Sequence, residues 1–343
     1  MVTFRVLVEQ KYMPERIAKQ IYQKLLGAKG VIIIPHKNPD GDALGSATAL
    51  MHILQNCSIP HLVFCATDSS KKYDFIPRAK ELTIDPEIWT QEHFDTVVVV
   101  DSGDLVYAGI KDYIDTHRNR ITVINIDHHA TNAYFGDLNL VITTAASTTE
   151  ILYTFCKVND IKIDKQLATC LLTGLVTDTG NFTNAATTIK SLSAASDLIV
   201  RGARLDVIQN LTMKDLSTNT LKLWGEVLAR LQRHDEHDIV YTYITQKDLT
   251  DFNATESDIE GVANMLNIMG EGKAALVLKE LDTNEVKGSF RTTRDDIDVS
   301  AIAKNLGGGG HKKAAGFTVG GTIEETLEKI WETIASIGKN NNK

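Results

Sequence analysis

Cysteine is scarce and unpatterned in this chain of 343 residues. Cys57, Cys65, Cys156 and Cys170 show no C-x-x-C spacing and sit among mostly apolar neighbours. That excludes a disulfide framework or thiolate zinc site and leaves buried free thiols. Long apolar runs are missing too, since no stretch approaches the roughly 18 residues that a membrane span requires. Met1-Val2-Thr3-Phe4-Arg5 opens no apolar leader core, so a cytoplasmic location without membrane contact is expected. Positive charge is in deficit, with 36 Lys and Arg against 44 Asp and Glu and a formal net charge of -8. This balance argues against the broad basic surface that long duplex nucleic acid needs, and favours small phosphorylated ligands. No internal repeat is present, and only residues 339–343, Lys339-Asn340-Asn341-Asn342-Lys343, read as a disordered tail.

What the chain does have is acid placed after apolar runs. His36-Lys37-Asn38-Pro39-Asp40-Gly41-Asp42 follows residues 31–34, and Asp101 follows residues 97–100. Asp127-His128-His129 follows residues 121–126, and Asp178 closes the apolar segment 171–177. Runs of four to six β-branched residues bounded by polar turns read as buried parallel strands. Three of these acidic stretches therefore lie just past strand C-termini, the edge where open α/β sheets bind ligands. A lone acid there caps the next helix. Five aspartates and three histidines delivered to one edge repel one another unless cations hold them, so the reading is a two-metal site.

The order of strand and helix predicts an α/β protein. Residues 1–196 form an N-terminal, doubly wound, mostly parallel sheet. A helical linker follows over 197–235, then a smaller C-terminal α/β domain with a mixed sheet over 236–338. Helices are expected over 14–26, with Pro14 in the first turn, and from Asp42 to residue 54, where Gly41 and Gly45 would let backbone approach a ligand. Ser147-Thr148-Thr149-Glu150 reads as a capping box, and Asp164 as the cap of a helix that ends in Asp178. In the second half, a hairpin is expected over 274–291 and a helix over 299–306. Gly307-Gly308-Gly309-Gly310-His311-Lys312-Lys313-Ala314-Ala315-Gly316 then leads into a short strand over 317–319. The cluster His234-Asp235-Glu236-His237-Asp238 reads as a solvated turn rather than a metal site.

His36, Asp40 and Asp42 share an H-x3-D-x-D spacing in which the Pro39 and Gly41 turn aims two carboxylates at neighbouring points. Asp101 and Asp178 can each lend two oxygens and bridge two ions, while His128 supplies an imidazole. Imidazole with carboxylate suits Mn, Fe or Zn, whereas oxygen ligation alone suits Mg or Ca better. Two ions about 3.5–4 Å apart can share a hydroxide and clamp both oxygens of an in-line displacement at phosphorus, so phosphate ester hydrolysis is expected.

With these motifs the chain resembles the DHH phosphoesterase superfamily, Asp127-His128-His129 being the triplet that names it. Gly307 to Gly316 is similar to the glycine-rich GGGH motif of the DHH-associated C-terminal domain. At this length the combination resembles the bacterial oligoribonuclease and pAp phosphatase branch. The resemblance implies two Mn2+ ions, replaceable by Mg2+ or Co2+. One would be held by His36, Asp40 and Asp101, the other by Asp42, Asp101, His128 and Asp178. It implies Asp101, Asp178 and His129 as catalytic, His129 lying beside the scissile phosphate. It also implies that Arg291 and His311, with the backbone of Gly308, Gly309 and Gly310, hold a terminal phosphate across the cleft between domains, a task that guanidinium and N–H groups suit. Expected substrates are short RNA oligonucleotides and 3′-phosphoadenosine 5′-phosphate (pAp). Cyclic di-AMP or pApA is the alternative, a non-catalytic nucleotide sensor is disfavoured, and a homodimer is permitted. Two positions depart from the family pattern: Thr292 stands where Ser is usual, and Leu105-Val106-Tyr107 where an arginine is common.

Overall fold

The computed structural model describes residues 2–340 apart from 70, 214–216, 256–257, 260–261, 263–264, 267–270 and 282. The β-branched runs form parallel strands: β1 (Val31–Ile34), β2 (His61–Val63), β3 (Thr96–Val100) and β4 (Thr122–Asp127). A fifth, β5 (Leu138–Val141), completes a sheet ordered β2-β1-β3-β4-β5 with every pair parallel. Register aligns the strand ends, since Ile34 lies beside Val99 and Val100 beside Ile126. Residues 36, 101 and 127–129 thus leave the sheet at one C-terminal edge.

Both faces of this sheet are covered, which is why its strands read as continuous apolar runs. On one face Ile33, Val98, Val100 and Ile124 pack in a core with α2 (Gly41–Asn56), α4 (Thr148–Val158) and α5 (Lys165–Asp178). On the other, Ile32, Ile34, Val97, Val99 and Val123 pack with Phe64, Trp89 and Ile114 of α3 (Lys111–His117). The N-terminal helix α1 runs over Val2–Leu26 and so contains Pro14 rather than starting there.

The closeness of α2 to α5 has a local cause. A Cβ at Gly41 would lie 2.5 Å from Thr177 Cγ2, and one at Gly45 2.6 Å from the Cys170 carbonyl oxygen. A Cβ at Gly174, on the facing helix, would collide with Asp42 Oδ1. Gly41 and Gly45, expected to let backbone approach a ligand, serve helix contact instead.

Contacts divide the chain into two units after residue 215. Helices α6 (Ile189–Val200) and α7 (Leu205–Met213) belong to the first, with Leu198 and Ile208 buried in its core. Helix α8 (Thr218–Ala229) belongs to the second, where Leu223 and Val227 pack on Ile244 and Val277. The segment expected as a linker over 197–235 is therefore shared between the units.

In the second unit β6 (Gln232–His234), β7 (Ile239–Ile244), β8 (Ala274–Leu281), β9 (Glu285–Arg291), β10 (Gly309–His311) and β11 (Ala314–Gly320) form a sheet ordered β10-β11-β9-β8-β7-β6. It is mixed, because β7 and β8 are parallel while the other pairs are antiparallel. The helices Val299–Asn305 and Ile323–Asn340 bury Val299, Ala303 and Ile330 with Phe290 and Phe317. The ring of His234 stacks on Trp331 at 4.2 Å, so this histidine is packed against the terminal helix. Of the tail expected over 339–343, residues 341–343 lie outside the described residues. Among the described residues no helix is long and apolar enough to cross a membrane.

Candidate metal centre

Asp40 is the N-cap of α2, where its Oδ1 accepts from Asp42 N and Ala43 N, both at 3.0 Å. Capping and ligation are compatible here, because a carboxylate has a second oxygen. His36 lies across from it, with Nε2 3.8 Å from Asp40 Oδ1 and 3.7 Å from Asp101 Oδ2. Its Nδ1 lies 2.8 Å from the Lys37 carbonyl, so it carries the proton and leaves Nε2 free to bind a cation.

Asp42 is fully buried, and its two oxygens accept from Thr148 N at 2.6 Å and Thr149 N at 3.0 Å. These amides open α4, where orphan N–H groups favour an anion. Ser147 starts that helix by accepting from Glu150 N, but the capping box is incomplete: Glu150 Oε2 takes Ala146 N instead of Ser147 N. Asp101, also buried, accepts from Thr148 Oγ1 at 3.0 Å and adopts a left-handed φ of 56°. An L-residue rarely holds that conformation, and such backbone strain gathers at functional sites. Asp178, at the end of α5, is tied through its carbonyl to Asn184 Nδ2 at 2.7 Å.

Among the described residues, three donor groups bring their ligating atoms within 4.8 Å of one another: His36 with Asp40 and Asp101, Asp42 with His128 and Asp178, and Asp101 with His128 and His129. His128 Nε2 lies 3.2 Å from Asp178 Oδ2 and 3.5 Å from Asp101 Oδ1, which links the groups. The six metal-ligand candidates read from sequence are therefore together.

Electrostatics show what the cluster requires. Burial pushes the Asp101 carboxyl well above the carboxylate range, and the charges of Asp42, Asp40 and Asp178 push the same way. Burial, with Asp178 nearby, raises Asp42 to about 7. Burial works against a charged His128, but its hydrogen bond to Asp178 and the Asp42 charge lift it to about 9. Acids this crowded keep protons unless positive charge replaces them. A mixed oxygen and imidazole set of this kind fits divalent cations.

Asp127 has a different task. Its Oδ1 accepts from His128 N at 2.8 Å and lies 2.7 Å from His129 Nδ1, while its Oδ2 accepts from Asn132 Nδ2 at 2.6 Å. Burial alone would raise its pKa, but the His129 hydrogen bond and charge hold it below the usual range. An ionised Asp127 thus sets the His129 proton on Nδ1. Behind it stands an amide ladder. Asn125 Nδ2 donates to Asn132 Oδ1 at 2.8 Å and Asn139 Oδ1 at 3.0 Å, and Asn132 Oδ1 also accepts from Tyr134 N at 2.7 Å. Asn132 and the two α4 amides are not legible in the sequence, although the Ser147 cap marks where those amides lie.

In the second unit Arg291 is half-buried at the end of β9, opposite Ala314 and Ala275, and donates to the Phe290 carbonyl at 2.9 Å. The glycine run turns into β10, and its members differ. A Cβ at Gly308 would collide with the Gly316 carbonyl, and one at Gly310 would lie 2.6 Å from the Ala314 carbonyl. One at Gly309 would meet nothing within 4 Å. The His311 side chain lies outside the described residues. Thr292 is buried, donating to the Lys273 carbonyl at 2.7 Å and accepting from Arg294 N at 3.1 Å.

Comparison with known proteins places this arrangement. Residues 30–175 match the DHH family, N-terminal domain, and residues 236–338 match the DHHA1 domain. The bifunctional oligoribonuclease and PAP phosphatase NrnA of Thermus thermophilus is 29% identical over 89% of this chain and 89% of its own length. The cyclic-di-AMP phosphodiesterase GdpP of Geobacillus thermodenitrificans is 26% identical over 89% of this chain but only 47% of its own. The crystal structure of an exopolyphosphatase-related protein from Bacteroides fragilis superposes with a TM-score of 0.86 at 22% identity, covering 96% of this chain and 98% of that one, and shares the fold. With a sheet edge carrying the His-Asp cluster and both domains matched in order over well more than half its length, the chain belongs to the DHH phosphoesterase superfamily.

Proposed function

We propose that this chain is a divalent-metal-dependent phosphoesterase that hydrolyses short oligoribonucleotides to mononucleotides and pAp to AMP. The observation that carries this reading is the pair of donor groups joined through Asp101 and His128 at the C-terminal edge of the first sheet. Relatives named for both activities, matched over most of their length, support the choice of substrates.

His36, Asp40 and Asp101 would hold one Mn2+ ion, and Asp42, Asp101, His128 and Asp178 a second. Bound there, the ions supply Lewis acidity toward phosphate oxygens and make water a better nucleophile at neutral pH. The chain's own residues do the rest. The α4 amides fix Asp42, the Thr148 hydroxyl orients Asp101, and Asp127 holds the His129 ring, which as an imidazolium would donate from Nε2 to the leaving oxygen. In the second unit Arg291, with the amides of the glycine run, is the proposed holder of a substrate phosphate.

Initial rates with Mn2+ on pAp, di- to pentanucleotides and cyclic di-AMP test this directly. Turnover of the first two supports it; no turnover, or a preference for long RNA, overturns it. The likeness to the GdpP relative keeps cyclic di-AMP as a second reading. Arg291→Ala separates the two, because a cyclic dinucleotide has no terminal phosphate. The variant should lose about tenfold in kcat/KM on short RNA, the scale of one charge-assisted contact, and keep its rate on the cyclic compound.

A further inference from the structure

Large apolar side chains are exposed at several places, among them Ile189 and Val200 of α6. Tyr107 differs. Its ring stacks on His36, with centroids 4.9 Å apart and planes at 28°, yet 48% of the residue remains exposed. With one face covered, the exposure comes from the opposite face and the edge. The neighbouring Val106 is 60% exposed.

The ring is also held in place. Tyr107 N donates to Asp104 Oδ1 at 2.7 Å, and the Tyr107 carbonyl accepts from Lys37 N at 3.3 Å. The segment is thus pinned to its own turn and to the stretch that carries His36, Asp40 and Asp42. At Gly109, with φ at +75°, a Cβ would lie 2.9 Å from the Lys37 side chain, so the two stretches are in close contact. An exposed aromatic ring fixed by its backbone has little conformational entropy left to lose on binding a flat partner.

We infer that Tyr107 is a stacking platform for a nucleobase of the substrate, presented beside the donor cluster by its contact with His36. The inference rests on the proposed phosphoesterase reading and adds to it a part that recognises the base rather than the phosphate. The chemistry is specific to that part. A phosphate approaching the cluster responds to charge, whereas a base on the ring gains apolar contact that depends little on charge. Purines, with the larger face, gain more than pyrimidines. Because the ring is backed by His36, its position is tied to the metal site and sets how far the base stands from the reacting phosphate.

The experiment measures whether the ring and the base depend on each other. Wild type, Tyr107→Phe and Tyr107→Ala are assayed with saturating Mn2+ on pAp and on ribose 3,5-bisphosphate, the same ester without a base. Tyr107→Ala should lower kcat/KM on pAp roughly tenfold or more, the effect of losing one base stack. It should leave the base-free ester unchanged, and Tyr107→Phe should behave as wild type on both. Equal losses on the two esters overturn the inference, since the ring would then serve only His36, and no loss on either overturns it as well. Affinities of the Mn2+-loaded protein for AMP and ribose 5-phosphate supply a readout without turnover. If wild type hydrolyses neither ester, the reading of pAp as a substrate has failed. The platform still stands if Tyr107→Ala removes a preference for AMP, and falls if wild type has none.

Discussion

The donor cluster of the first unit is made of side chains held by other side chains and by helix amides, whereas the glycine-rich turn of the second is backbone held by backbone. Asp42, Asp101 and Asp127 each have hydrogen-bond partners that fix their direction. Gly308 and Gly310 have instead neighbours that forbid a side chain. The difference teaches how to separate ligand binding from architecture. Where buried acids repel one another, the cost of assembling them points to a cation; where glycines let strands approach, packing alone explains most of them.

Asp101→Asn is the strongest way to break that contrast. It removes the carboxylate shared by two donor groups while keeping size and hydrogen bonding. Losing several kcal/mol of transition-state stabilisation should reduce kcat by about a thousandfold or more at saturating Mn2+. Activity within tenfold of wild type would mean that Asp101 bridges nothing. Asn132→Ala is expected to have a smaller effect, lowering kcat about 10- to 100-fold, as for other groups that orient a reacting side chain. Phenyl esters with good leaving groups should be affected least, because they need little help from His129; equal losses for good and poor leaving groups would make Asn132 structural only.

Two glycine variants sharpen the other side. Gly308→Ala forces a Cβ into the Gly316 carbonyl and should destabilise the second unit by about 1–3 kcal/mol in denaturant unfolding. Gly309→Ala has open space and should leave stability unchanged. A rise in KM without a change in stability in the second variant would assign that backbone to phosphate.

The smallest expected effect is a pH dependence of metal-free protein. Asp42 is raised by burial to about 7, above an unfolded value of about 3.9, so between these the folded state holds more protons than the unfolded one. Its contribution to stability therefore falls as pH rises through that window and levels off above it. The Tm of wild type minus that of Asp42→Asn should drop by a few degrees from pH 4 to 7, and Mn2+ should cancel the slope. A constant difference would contradict it.

Much of this was legible in the sequence, for identifiable reasons. The parallel strands announced themselves because both sheet faces are buried, and Asp164 was readable as a cap because capping is local: it accepts from Gln166 N and Leu167 N. Strand β5 was not, since Asn139 interrupts its apolar pattern to join the amide ladder. The role of Asp127 was hidden for another reason. Its letter is the same as that of a ligand, and only the direction of its oxygens, toward His129 and Asn132, distinguishes the two. Glycines 41 and 45 were misassigned because a sequence does not say which surface a small residue faces.

The bonds from Asp42 to Thr148 and Thr149 span more than one hundred positions of chain. A nascent polypeptide released only as far as residue 147 has no such amides to offer this acid, so the direction of its carboxylate is set only once α4 begins. The cluster can gather cations only once this segment and Asp178 have joined the fold.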